Sequence, residues 1–152
     1  MNNTWIKNLG IVLLSLGMAS CEVSKEEAAC KVAKEFTEAF YNLDVKKARG
    51  YCHRDLHAIM DFRHTNLRQS DRDFLKASGK VDVRVIKHES DVDNMVFVDM
   101  EIRNALKIDY MADTLSICPC DTVKLTIEKF GVDKWYVTEF FKGVPVNNLE
   151  VE

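Results

Sequence analysis

Residues 51–64, YCHRDLHAIMDFRH, gather three of the chain's four histidines with a cysteine and two aspartates. Such a set could ligate a metal ion or move protons. On one continuous helix His53, His57, Asp61 and His64 would share a side, and an i, i+4 pair is a workable first half of a metal site. A helix that restarts at Asp55 puts His53 at a corner and removes it from the row. His57, Asp61 and His64 remain, about a quarter turn or more from the apolar line of Leu56, Met60 and Leu67. A structural zinc site wants four ligands, and no fourth is identifiable. Asp61 with His64 at i+3, or with His57 at i−4, makes an ordinary local pair. The reading is a solvated helix flank with no resident metal, His57, Asp61 and His64 being the weak candidates.

The cysteines depend on how the chain begins. Lys7 precedes an apolar run from Leu9 to Ala19, too short for the roughly 20 residues that span a bilayer. The charged front, apolar middle and small-residue exit are those of a secretory signal over residues 1–20. Met18-Ala19-Ser20-Cys21 resembles the lipobox of bacterial lipoproteins. That likeness implies cleavage before Cys21 and lipid on its sulfur and amino group. Residues 21–24 would then be a lipidated tether, and the membrane a partner through its anchor. Cys30, Cys52, Cys118 and Cys120 remain, an even number in an oxidising compartment, so at least one disulfide is expected. Their pairing is open. Cys118 and Cys120 are a poor pair, because their Cα atoms in extended chain lie roughly 6.6 Å apart.

Cleavage leaves 132 residues, 21–152, with a formal charge of −4 against −3 for the whole chain. That length suits one domain with a real core, taken as residues 25–152. The acidic balance gives no attraction to phosphate, so nucleic acid is not an expected partner.

The elements that must position these groups divide into helices and then strands. Ser24 with Glu27 three residues later forms a capping box. It opens a helix with Ala29, Val32, Ala33, Phe36, Phe40 and Leu43 in one apolar stripe. Asp44 caps a second helix, VKKARGYC. A third starts at Asp55 and carries Leu56, Ile59 and Met60 inward. A fourth, SDRDFLKASG, takes Ser70 as cap and Gly79 as stop. The period then changes to two. Val81, Val83 and Val85, then Val96, Val98, Met100 and Ile102, then Val123, Leu125 and Ile127 mark one buried sheet face. Asp99, Glu101 and Glu128 alternate to the other. A tight turn at Gly131-Val132-Asp133 joins the last two strands. Residues 105–120 hold at most a short strand, placed at an edge or in a loop by Pro119. The class is α+β.

EAFYNLDVKKARGY, HRDL and the closing DKWYV hairpin resemble the nuclear transport factor 2-like superfamily, over roughly residues 25–141. The likeness is specifically to its small bacterial lipoproteins of unknown function. It implies N-terminal helices packed in a curved, cone-like antiparallel sheet, whose interior holds a small ligand or nothing, and a homodimer in many relatives. Some members of that superfamily are isomerases or dehydratases.

For this chain, candidate pocket-lining residues are Phe36, Phe40, Tyr41, Tyr51, Trp135 and Glu139, the last being the one acid expected to point inward. Tyr110 is a further candidate hydroxyl. Phe97, Tyr136 and Phe140 are expected on the outer sheet face, where aromatics would suit a partner. No nucleophile motif or phosphate loop is present, and no catalytic residue or cofactor is assigned. The reading is a lipid-anchored envelope domain, outer-membrane attached at the periplasmic face or the cell surface. It would bind a small apolar ligand or a protein partner without catalysis. A homodimeric module with a filled cone is the next reading, ahead of an isomerase-like enzyme or a metal-binding protein.

Overall fold

The Ser24 hydroxyl accepts the Glu27 N–H at 3.1 Å and starts helix α1, Lys25–Tyr41. In the computed structural model, residues 24–92, 94–109 and 114–142 are described. Glu26 and Glu27 lie in the first turn, where the helix dipole favours acids. Ala29, Ala33, Phe36 and Phe40 are buried along the face the spacing predicts. Asn42 ends the helix and ties it to the sheet. Its Nδ2 donates to the Glu38 carbonyl at 2.8 Å, and its Oδ1 accepts the Val81 N–H at 3.1 Å.

Asp44 caps α2, Val45–Arg49, by accepting the Lys47 N–H at 3.0 Å. The helix stops earlier than the sequence suggests, at Arg49. Tyr51 closes a turn instead, and Cys52 forms a parallel bridge to Val137 of the last strand. The Val137 N–H donates to the Tyr51 carbonyl at 2.9 Å, and the His53 N–H donates to the Val137 carbonyl at 2.8 Å. Cys52 is thus buried at a sheet edge and not on a helix.

A 3-10 turn, Arg54–Leu56, leads into α3, His57–Thr65. Leu56 therefore precedes the α-helix, and the face turned inward is that of Met60. Ile59, expected inside, is 50% exposed. Helix α4 covers Gln69–Ser78. Its cap is Arg68 rather than Ser70: the Arg68 N–H donates to buried Asp71 at 2.8 Å. Gly79, at φ 88°, stops it as expected.

Four antiparallel strands follow in the order β1 (Asp82–Val92), β2 (Met95–Arg103), β5 (Asp121–Phe130), β6 (Lys134–Lys142). Register pairs Val83 with Ile102 and Val85 with Met100, then Met100 with Val123 and Val98 with Leu125. The predicted buried face is therefore continuous, and α1 packs against it. Residues 105–118 supply more than the one short strand expected. β3 (Ala105–Asp109) and β4 (Thr114–Cys118) form a separate two-stranded sheet. Pro119 lies just beyond β4 and interrupts no ladder bond.

Candidate functional site

The space between α1 and the sheet is the first place to look for a site. Aromatic rings occupy it. Phe36 stacks on Phe40 with centroids 5.8 Å apart, and Phe140 meets Phe40 at 5.0 Å and Phe36 at 6.2 Å. Tyr41 lies 5.3 Å from Phe40. Phe36, Phe40 and Tyr41 are all buried, so these predicted lining residues come together as packing. Trp135 is half-buried against the same apolar cluster. Tyr51 is half-buried beside a shallow open hollow next to Asp44 and Lys47. Tyr110 lies outside the described residues.

Phe140 and Glu139 are exchanged relative to expectation. Strand β6 pairs Ile127 with Val137 but Thr126 with Glu139, so Thr138 is an extra residue. One extra residue moves every later side chain to the opposite face. Phe140 therefore turns inward and Glu139 is exposed, removing Glu139 from the pocket and Phe140 from the outer surface.

The sheet carboxylates have local partners. Thr126 donates its hydroxyl to Glu139 at 2.9 Å, and Thr138 donates to Glu128 at 2.8 Å. Arg84 and Arg103 both reach Glu101, at 2.8 and 2.7 Å, and their hydrogen bonds hold its carboxyl below the usual range. Lys124 sits over the half-buried Phe97 ring, 5.4 Å from its centroid.

The histidine stretch is dispersed. His53 stacks on Phe130 at 5.3 Å, its Nδ1 3.1 Å from Asp55. Asp61, expected to pair along its own helix, instead holds Arg49 of α2. His64 is exposed, and Arg72 donates to its carbonyl at 2.8 Å. Among the described residues, no group of three histidine, cysteine or acidic side chains could hold a metal ion. His57 Nε2 and Arg49 Nε are covered and have no hydrogen-bond partner among the described residues.

The four cysteines expected to include a disulfide are free thiols. Burial pushes the Cys52 thiol up to about 11, and burial with nearby Glu26 raises that of Cys30. Cys118 donates weakly to the Cys120 carbonyl at 3.0 Å. Cys21 lies outside the described residues.

An open groove of about 650 Å³, which the sequence reading missed, lies where α1, α2, α4 and the start of β1 meet. Buried Ala39, Leu75 and Val81 contribute to its lining, and Lys47, Lys76 and Lys80 stand around it. These residues come from separate elements, and only the Gly79 stop signals the turn that brings them together.

Among solved structures, the chain resembles an "Ntf2 like protein involved in plasmid conjugation", with a TM-score of 0.51 and 17% identity. The match covers 80% of this chain and 50% of that one, so this chain spans about half the length of the protein it resembles. The fold is nuclear transport factor 2-like. No family model and no curated protein matches the chain. Within this Ntf2-like fold, the ring cluster of Phe36, Phe40, Tyr41 and Phe140 occupies the space between helix and sheet.

Proposed function

We propose that the chain is a lipid-anchored cell-envelope domain that works by binding a protein partner, without catalysis. In this reading the sheet curves into a cone around α1, and acylated Cys21 holds the domain at the outer membrane. The observation that carries it is the aromatic filling. Phe36 and Phe40 are 2% and 7% exposed and meet Phe140, so the space that could take an apolar ligand is occupied by the chain's own side chains. Catalysis of the isomerase type needs titratable groups on that face, with their pKa values shifted by it. Glu139, the acid expected there, lies outside instead.

A homodimer is the second reading. It is favoured by Phe97 and Tyr136, half-buried on strands whose opposite faces form the core.

The test is native mass spectrometry of the full chain released from its own membranes, beside a denatured sample and the Cys21→Ala variant. A protein partner retained on the native chain, with the variant lost from the membrane fraction, supports the proposal. A bare dimer moves it to the second reading. A bound organic molecule displaceable by apolar compounds overturns the filled interior, and unchanged membrane retention of the variant overturns the anchor.

A further inference from the structure

The groove between α1, α4 and β1 has an apolar floor and an uneven rim of charge. Ala39, Leu75 and Val81 are 3%, 6% and 6% exposed yet line an open space of about 650 Å³. That volume is within the roughly 300–1,000 Å³ of small-molecule sites. Gly79 lies at its edge, where φ 88° turns the chain from α4 toward β1.

Most of the polar rim is already engaged. Lys47 bonds Glu35 at 2.6 Å, Glu38 lies 3.9 Å from Lys34, and Asp44 accepts the Lys47 N–H. Both polar atoms of the Asn42 side chain bond backbone groups. Lys76 and Lys80 differ. Each is exposed and has no carboxylate partner among the described residues. Two ammonium groups with no ion pair among the described residues, beside an apolar floor that Glu38 and Asp44 also border, are complementary to the head of an amphipathic anion.

We propose that this groove binds a small amphipathic carboxylate, with its apolar body on Ala39, Leu75 and Val81 and its head at Lys76 and Lys80. The site is separate from the filled interior and does not depend on whether Cys21 is acylated. Exposed ion pairs are individually weak, so the apolar floor must supply part of the binding.

The experiment is lysine acetylation footprinting by mass spectrometry on the full chain in lipid nanodiscs, with 4-phenylbutyrate as the probe. 4-Phenylbutanol and 4-phenylbutyltrimethylammonium serve as comparators. The carboxylate at about 10 mM, well above the millimolar affinity expected of so few contacts, should slow acetylation of Lys76 and Lys80 about threefold or more. Lys129 and Lys134, at the far end of the sheet, should be unaffected. In equilibrium dialysis, the K76Q/K80Q double variant should lose affinity by about threefold to thirtyfold, the range open to two exposed ion pairs, while Lys134→Gln, at the far end of the sheet, retains binding. Equal protection by the alcohol or the quaternary amine, uniform slowing of all lysines, or no slowing overturns the proposal. Repeating the footprint on Cys21→Ala separates this site from the anchor, because loss of membrane attachment leaves the groove intact.

Discussion

Cys52 and Cys120 show how far burial alone separates two residues of one type. Cys52 is 3% exposed and its thiol is pushed up to about 11, whereas Cys120 is exposed. Only the thiolate is a good nucleophile, so iodoacetamide at pH 8 should label Cys120 quickly and Cys52 only after unfolding. Peptide mass spectrometry reads both sites, and equal native labelling would contradict the burial. The same digest, denatured without reductant, should alkylate Cys30, Cys52, Cys118 and Cys120. Glu101 gives the residue-scale pH prediction. Arg84 and Arg103 lower its folded pKa, so its contribution is full above the unfolded value of about 4.3. It is lost as pH falls through the lower folded value. Glu101→Gln should thus be less stable than the parent at pH 7, and the gap should close in acid. A gap that stayed constant across a urea-unfolding series in pH would remove Glu101 from the acid response. The histidine stretch was readable from sequence up to a point: the break near Asp55 and the exposed His64 were visible there. Asp61's partner was not, because Arg49 lies on another helix and no local spacing rule reaches it.

At the scale of elements, the bulge at Thr138 decides which side chains are core. Period-two reading placed Val98, Met100 and Leu125 correctly because β2 and β5 pair without interruption, and Val83 because it precedes the register shift between Val85 and Lys87. It failed past Thr138, since nothing in YVTEFF marks the residue that leaves the ladder. The caps show a similar division. Ser24 and Asp44 were legible, as each reaches an N–H three residues on. Arg68 was not, because its link uses the backbone N–H and the side chain of Asp71. The consequence for stability is specific. Phe36→Ala removes a ring that is 2% exposed and should cost about 3–5 kcal/mol in urea unfolding. Glu139→Gln alters one exposed acceptor and should cost less than about 1.5 kcal/mol. A reversal of that order would return Glu139 to the interior and undo the bulge assignment.

For the whole molecule, the order of helices before antiparallel strands was enough to indicate an α+β fold, because consecutive strands of this kind pair with their neighbours. The groove was beyond that reading: it joins residues 38–47 to 75–81, which share no periodicity. The same long-range assembly implies an uneven distribution of stability. β2 and β5 are each flanked by strands on both sides, and Val96, Val98, Met100, Leu125 and Ile127 are fully buried. Among the described residues β3 and β4 have only each other in their sheet, although Ala105 and Leu106 are buried. Amides open with the cooperative unit that holds them, so β2 and β5 should exchange only on global unfolding. The β3–β4 pair should exchange through a smaller opening, about tenfold or more faster, which corresponds to a gap of roughly 1.4 kcal/mol or more. Hydrogen exchange read by mass spectrometry under native conditions distinguishes the two. If β3 and β4 were as protected as β2 and β5, the two sheets would open as one unit. The small sheet would then be an integral part of the core and not an appendage to it.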